Sequence, residues 1–127
     1  MNADKGGKLY KKKLPREARL FNPALFREAF DQNVSYVSKY FVLWLRSGSD
    51  ACKRLGVIAS KKSFPLSVSR SRAKRLIREA YRQHRNALDS KYDYVMVARK
   101  LILQVKMQDV ADTFIKTASQ AGLINNE

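Results

Sequence analysis

The sequence predicts a mixed α+β fold of one domain, an α/β sandwich with a four-stranded sheet. Three observations lead to this prediction. The spacing of apolar residues changes from the 3.6 typical of helices to the two typical of strands, and later back. The resulting order of elements is helix, three strands, helix, strand, helix. The chain of 127 residues is long enough for one hydrophobic core.

The first predicted helix spans residues 24–31. Asn22 is a suitable N-cap, and Pro23 suits the first helical position because its missing N–H is not needed there. Phe26 and Phe30 stand four residues apart, so they share one face of this helix.

Four segments have the composition of strands. Residues 34–37 form a short one, and residues 40–46 (YFVLWLR) form a stronger one that is rich in aromatic and β-branched side chains. Both faces of this second strand are apolar, so it needs cover on both sides. Residues 54–60 (RLGVIAS) and 92–99 (YDYVMVAR) are the third and fourth predicted strands.

The second predicted helix is strongly basic and runs from Ser69 to about Leu88, with Ser69 or Ser71 as its cap. Its apolar side chains gather into one stripe. The last helix covers residues 107–123. We expect these two helices to lie on one face of the sheet and the short first helix on the other.

The opposite side of the basic helix carries cations at intervals of four residues. These are Arg70, Lys74, Arg78 and Arg82, with Arg75 and Arg85 beside them. Glu79 is the only acid among them. Like charges at this spacing repel one another by a few tenths of a kcal/mol per pair, and a solvated helix usually mixes both signs. The pattern therefore indicates an anionic partner.

The excess of positive charge is unevenly distributed. The chain has 26 Lys and Arg against 11 Asp and Glu, a net charge of +15, and the charge is concentrated in residues 53–85 and at the N-terminus. This asymmetry indicates a nucleic-acid-binding face. We expect residues 1–13 to be a mobile basic arm. A single cysteine, no signal-peptide pattern and no membrane-length apolar run predict a cytoplasmic protein without a membrane partner.

The short first helix is too small to cover a whole sheet face. Phe26, Phe30, Val42 and Trp44 could therefore line a groove between this helix and the strands. Aromatic residues at such spacings usually belong to a core, but a groove beside a basic helix suits single-stranded nucleic acid, which is held by stacking surfaces and cations.

The basic motif resembles the protein subunit of bacterial ribonuclease P, whose mark is R-N-R-x-K-R-x-x-R-E on its central helix. Here residues 70–79 read RSRAKRLIRE. The resemblance extends to PREARL and the two phenylalanines, to FVLW, to RLGVIASKK and to YDYVMVARK. It implies an αβββαβα, ribosomal-protein-like topology with a left-handed crossover, although parallel strands are normally joined by a right-handed one. We place this domain at residues 14–124 and a tail at 125–127.

The resemblance also implies the site residues. Those predicted to bind the catalytic RNA subunit are Lys61, Lys62, Arg70, Ser71, Arg72, Lys74, Arg75, Arg78 and Arg82. Those predicted to bind the 5′ leader of precursor tRNA are Phe26, Phe30, Val42, Trp44 and Ile58. Ser71 replaces the family's asparagine, Trp44 stands where tyrosine is frequent, and Ile58 stands where a small polar residue occurs in relatives.

The resemblance implies a protein cofactor of an RNA enzyme, and not a catalyst in itself. The expected partners are the catalytic RNA and precursor tRNA, with no obligate protein partner. Mg²⁺ is expected to serve the RNA subunit, with no metal on the protein.

Two alternatives belong to other classes. A self-sufficient nuclease needs clustered carboxylates or histidines to hold metal ions. The aspartates of this chain are scattered, its single histidine, His84, lies at the edge of the apolar stripe, and Cys52 has no catalytic partner. A structural RNA-binding protein or RNA chaperone, such as a ribosomal component, fits the charge pattern equally well, and only the extended motif separates it from ribonuclease P.

Overall fold

A computed structural model of the chain describes residues 14–125. Both the predicted arm, residues 1–13, and the end of the predicted tail, residues 126–127, lie outside the described residues. Three α-helices and four strands make up the main elements. In chain order they are α1 (Pro23–Gln32), β1 (Ser35–Val37), β2 (Phe41–Ser47), β3 (Leu55–Ile58), α2 (Ser67–His84), β4 (Tyr92–Ala98) and α3 (Met107–Gln120).

The four strands form one mixed sheet in the order β1-β2-β4-β3. β2 lies antiparallel to both β1 and β4, and β3 lies parallel to β4 at the sheet edge. The chain therefore crosses over through α2 to bring β4 beside β3, since parallel neighbours cannot be joined by a hairpin. The left hand of this crossover stays a prediction from the family resemblance.

The larger core lies between the sheet and the pair α2 and α3. Phe41, Leu43 and Leu45 point to this face of β2 and are buried. The predicted apolar stripe of α2 meets them there. Its fully packed residues are Ala73, Leu76, Ile77, Ala80 and Tyr81. The predicted arrangement of basic and last helices on one face is thus confirmed.

Among the described residues, α1 and the segment that leads into it cover the second face of the sheet. Asn22 caps this helix, accepting a hydrogen bond of 2.9 Å from the backbone N–H of Ala24, and Pro23 occupies the first turn as predicted. Leu20, Ala29 and Val95 are the buried centre of the smaller core that results.

The start of α2 differs from the prediction. The helix begins at Ser67, with Leu66 as a cap that makes no side-chain hydrogen bond, so the predicted caps Ser69 and Ser71 lie inside it. Val68 precedes the predicted start of this helix, and a β-branched residue is less favourable in a helix than most others. Its side chain is 72% exposed, however, and a β-branched residue at such a position costs only a few tenths of a kcal/mol in a helix.

Candidate RNA interface

The exposed side of α2 carries the predicted cations. Arg72, Arg75 and Arg78 are exposed and Lys74 is half-buried, while the opposite side packs in the core. Within residues 14–125 none of these four forms an ion pair. The described structure therefore leaves their charge available for an external anion. The helix has no acidic residue in its first turn either.

Two other predicted RNA-binding arginines already have partners. The Arg82 guanidinium makes two hydrogen bonds to the Glu79 carboxylate, and this pairing lowers the pKa of Glu79. Nη1 of Arg70 donates to the carbonyl oxygens of Phe64 and Pro65, at 2.9 and 3.1 Å. Arg70 thus holds the loop before α2, while its remaining N–H groups make no hydrogen bond within residues 14–125.

The remaining predicted polar residues lie around the helix start. Lys61 and Lys62 are exposed in the turn after β3, which is closed by a hydrogen bond from the backbone N–H of Phe64 to the carbonyl of Ser60. Ser71 is exposed in the second turn of α2. The structure therefore places Lys61, Lys62 and Ser71 on the surface, near the N-terminal end of the cationic helix.

Aromatic side chains join α1 to the sheet. The rings of Phe30 and Trp44 meet edge to face with their centroids 5.0 Å apart. The ring of Phe26 lies over Gly56, where an added Cβ would come within 2.5 Å of two ring carbons. Ile58 packs against the same small core, and all four predicted leader residues here are half-buried. We call Phe26, Phe30, Trp44 and Ile58 the aromatic cluster.

Val42, the fifth predicted leader residue, lies outside this cluster. It points to the same face of β2 as Trp44, because side chains two residues apart share a face. It pairs with Val37 of β1 and Val97 of β4 and is half-buried. The structure thus brings four of the five predicted leader residues against one small core and places Val42 farther along the same sheet face.

A network of ion pairs around the buried Arg46 side chain ties α1 to the sheet. The Arg46 guanidinium contacts Glu28 of α1, Asp50 of the following turn and Asp93 of β4 at 2.7 to 2.8 Å. Arg54 adds a second guanidinium 2.8 Å from Asp93. The network links α1, a turn, β2, β4 and the residue that precedes β3, and it was not predicted from the sequence. The available signal was Arg46 and Asp93, each a charged residue in an otherwise apolar predicted strand.

The pKa values of this network reflect its pairing. Burial raises the pKa of the Asp93 carboxyl, but hydrogen bonds from Arg54 and from the backbone N–H groups of Cys52 and Arg54 lower it more, so it lies below its ordinary value. Burial lowers the pKa of Arg46, and its hydrogen bonds to Asp50, Glu28 and Asp93 raise it well above its ordinary value. Both groups therefore stay charged at neutral pH.

A second feature absent from the predictions is a cleft of about 250 Å³ beside the edge strand β3. Arg19 and Arg78 both line it. Partial burial of its guanidinium group and the positive charge of Arg19 lower the pKa of Arg78. We call this the arginine cleft. Its only signal in the sequence was Arg19, in the segment PREARL, which lies far from the basic helix along the chain.

The residues considered for a nuclease are dispersed. Within residues 14–125 no three His, Cys, Asp or Glu side chains are grouped so that they could hold a metal ion. His84 is half-buried at the edge of the apolar stripe, with its ring centroid 6.3 Å from that of Phe114. Cys52 is exposed.

A protein family matches most of the chain. The family model described as Ribonuclease P matches residues 14–122. The chain belongs to the ribonuclease P protein family. The resemblance noted in the sequence is thereby confirmed, together with the mixed four-stranded fold.

Relatives of the ribonuclease P protein family cover most of the chain. The ribonuclease P protein component of Pseudomonas savastanoi pv. phaseolicola is 40% identical over 102 residues, which are 80% of this chain and 76% of the relative. That of Stutzerimonas stutzeri is 37% identical over 123 residues, covering 87% of this chain and 93% of the relative.

Solved ribonuclease P proteins share the fold. The Staphylococcus aureus protein superposes with a TM-score of 0.73 at 23% identity, over 85% of this chain and 98% of that one. The Thermotoga maritima protein gives a TM-score of 0.68 at 24% identity, over 77% and 92% of the two chains. Among the described residues, no helix is both long and apolar enough to cross a membrane.

Proposed function

We propose that this chain is the protein cofactor of ribonuclease P, which binds the catalytic RNA and the 5′ leader of precursor tRNA and promotes removal of that leader. The observation that carries the proposal is the face of α2, where Arg72, Lys74, Arg75 and Arg78 have no ion-pair partner within residues 14–125 although the helix is firmly packed behind them. Arginine suits phosphate oxygens because its planar fork donates two parallel hydrogen bonds.

In this proposal α2 and the turn before it contact the RNA subunit. The assigned residues are Lys61, Lys62, Arg70, Ser71, Arg72, Lys74, Arg75, Arg78 and Arg82. Arg82 contributes less charge than its neighbours because Glu79 neutralises it. Neutralising phosphates would reduce the repulsion between the catalytic RNA and precursor tRNA, so that the two polyanions can associate.

The aromatic cluster, together with Val42, is the proposed surface for the leader. Its rings are half-buried, so they are held in place by α1 and the sheet while part of each remains accessible. Fixed aromatic faces beside cations are the usual way in which proteins hold single strands without reading a particular sequence.

The chemistry is assigned to the RNA subunit. Mg²⁺ would be held by the RNA, where it would activate the attacking water and stabilise the leaving oxygen. The protein's residues would act by binding and positioning. We place this activity in the cytoplasm.

The experiment that tests the leader surface compares precursor tRNAs with long leaders against mature tRNA without one, each bound to the reconstituted holoenzyme. Trp44→Ala and Phe26→Ala should weaken binding of the long-leader substrate by roughly fivefold or more, as expected when a stacking ring is removed, and leave mature tRNA unaffected. Equal losses for both RNAs would contradict the assignment. Val37→Ala, at an exposed valine of β1, is the control.

Trp44 also provides a direct signal, because it is the only tryptophan of the chain. Its fluorescence should change when a leader oligonucleotide is added to the holoenzyme. The same oligonucleotide should give no change in the Trp44→Phe protein, which controls for contributions from the RNA.

A further inference from the structure

The arginine cleft has the composition of a binding site, because charged, aromatic and aliphatic side chains line it together. We propose that it holds one nucleotide of an RNA strand, with the phosphate between Arg19 and Arg78 and the base against Phe21. The inference deepens the proposed function and rests on it for the source of the RNA, since the strand would belong to the ribonuclease P RNA or to its substrate.

The charges of the cleft favour an anion. Two guanidinium groups line one cavity, and neither forms an ion pair within residues 14–125. Nε of Arg19 is buried and has no hydrogen-bond partner among those residues. A buried donor without an acceptor destabilises a fold. A phosphate oxygen in the cleft would accept from this N–H and would lie between two charges that otherwise repel each other.

The rim of the cleft offers a surface for a base. Phe21 lines the cavity and is 56% exposed, which is unusual for a large aromatic ring. The Arg16 guanidinium carbon lies 5.0 Å from the centroid of the Phe21 ring, so a cation helps to hold the ring in place. Exposed rings next to cations are stacking platforms for single-stranded nucleic acid.

The cleft is rigidly built and suitably sized. Leu20 donates a backbone hydrogen bond of 2.9 Å to the carbonyl of Leu55, and Arg19 pairs with Leu55 as an extra parallel bridge on β3. Its volume of about 250 Å³ lies just below the ~300–1,000 Å³ of pockets that enclose whole small molecules. It therefore suits part of a strand better than a free metabolite.

The position of the cleft connects the two parts of the candidate interface. Arg78 belongs to the cationic face of α2, and Phe26, which also lines the cleft, belongs to the aromatic cluster. A strand that passes from one surface to the other would cross the cleft. The nucleotide held there would fix the register between phosphate contacts on α2 and stacking contacts on α1.

The first test uses the purified full chain and a single-stranded RNA pentamer, without any ribonuclease P RNA. Arg19→Gln should weaken pentamer binding roughly tenfold, because a charge-assisted hydrogen bond is lost. It should also reduce the slope of log affinity against log salt by about 0.7, the value for one phosphate contact to a single strand. Arg27→Gln removes the same charge from an exposed position on α1 and is the matched control.

Equal binding and equal salt slopes for these two variants would overturn the site. Arg19→Lys keeps the positive charge but lacks the planar guanidinium group, so its affinity for the pentamer should lie between those of the wild type and Arg19→Gln. Thermal unfolding of each variant verifies that the fold is intact, and Arg19→Lys still allows the comparison if the glutamine variant does not fold.

The second test addresses the base. Phe21→Leu should weaken binding of the natural pentamer roughly fivefold or more, since one stacking contact is lost, and leave an abasic pentamer with the same phosphates unchanged. If both pentamers lose affinity equally, or neither does, Phe21 does not hold a base.

The source of the strand is then found with the holoenzyme. If Arg19→Gln lowers affinity for the RNA subunit, the nucleotide belongs to that subunit; if it lowers affinity only for substrates with leaders, it belongs to the leader. Either result supports the cleft, and no loss in both assays overturns it. A wild-type chain that forms no holoenzyme would instead refute the proposed function, while the pentamer assay would still judge the cleft.

Discussion

At the scale of single residues, the Asp93 carboxylate is held by several partners at once. It is fully buried, and it accepts hydrogen bonds from Arg46, from Arg54 and from two backbone N–H groups. Removing one partner from a buried pair is far more damaging than removing both, because the remaining charge stays buried without compensation. Asp93 therefore fixes β2, β3 and β4 to one another at one end of the sheet.

The variant Asp93→Asn should lower the free energy of unfolding by about 3 kcal/mol, as expected when a buried ion pair loses one member. Urea unfolding followed by circular dichroism measures the change. Asp31→Asn, at an exposed position of α1, is the control and should alter stability little. A loss of less than 1 kcal/mol for Asp93→Asn would show that water reaches the network.

Glu28 belongs to the same network but is half exposed. Glu28→Gln should therefore reduce stability by less than about 1 kcal/mol, as is typical of exposed ion pairs. Because Glu28 is the ion-pair link from α1 to Arg46, the same variant should weaken binding of substrates with long leaders. Leader binding unchanged from wild type would show that α1 needs no such anchor.

At the scale of elements, α1 is held on the sheet by shape as much as by charge. The Phe26 ring occupies the space that a side chain at position 56 would need. Gly56→Ala should displace the ring and lower the free energy of unfolding by ~1–3 kcal/mol, the usual range for overpacking. Chemical denaturation measures the loss, and the double variant Gly56→Ala/Phe26→Leu should recover part of it. No recovery would mean that the strain lies elsewhere.

The helix α2 has a buried apolar stripe and an exposed cationic face. Substitutions on the cationic face should therefore change RNA binding without lowering stability. The double variant Arg72→Gln/Arg75→Gln should reduce the salt slope for binding of the RNA subunit by about 0.7 to 0.9 per lost phosphate contact. Its melting temperature should stay the same or rise, because repulsion along the helix decreases. Arg82→Gln, whose partner Glu79 already neutralises it, should change the slope less.

If Arg82→Gln reduced the salt slope as much per residue as the double variant does, the ion pair with Glu79 would have to open when RNA binds. Unchanged slopes for all of these variants would mean that the RNA lies on another face of the protein.

The elements themselves were largely predictable, because apolar periodicity reports directly on which side chains are buried. The sequence correctly predicted the apolar stripe of α2, the apolar residues on both faces of β2 and the Asn22 cap of α1. The sheet order was not derivable from local patterns. Arg46 and Asp93 stand 47 residues apart and meet only because β4 lies beside β2. For the same reason, no local signal could link Arg19 to Arg78.

At the scale of the whole molecule, stability should depend on pH in acid. The pKa of Asp93 in the fold lies below its ordinary value of 3.8, so between these two values the unfolded chain binds more protons than the folded one. The stabilisation from Asp93 is therefore complete above pH 3.8 and is lost as pH falls through the lower, folded pKa.

Unfolding free energy measured between pH 2.5 and 6 should accordingly fall toward the acid end, and Asp93→Asn should flatten the curve. If unfolding free energy fell as steeply with pH in Asp93→Asn as in the wild type, the acid sensitivity would come from other carboxylates or from repulsion within a chain of net charge +15.

The central claim is that this chain enables a catalytic RNA to process precursor tRNA. The most direct measurement is cleavage of a precursor tRNA at low millimolar Mg²⁺ by a bacterial ribonuclease P RNA, with and without the purified protein. We expect cleavage at the mature 5′ end by the mixture and none by either component alone. Cleavage by the protein without RNA, or no gain when the protein is added to its cognate RNA, would contradict it.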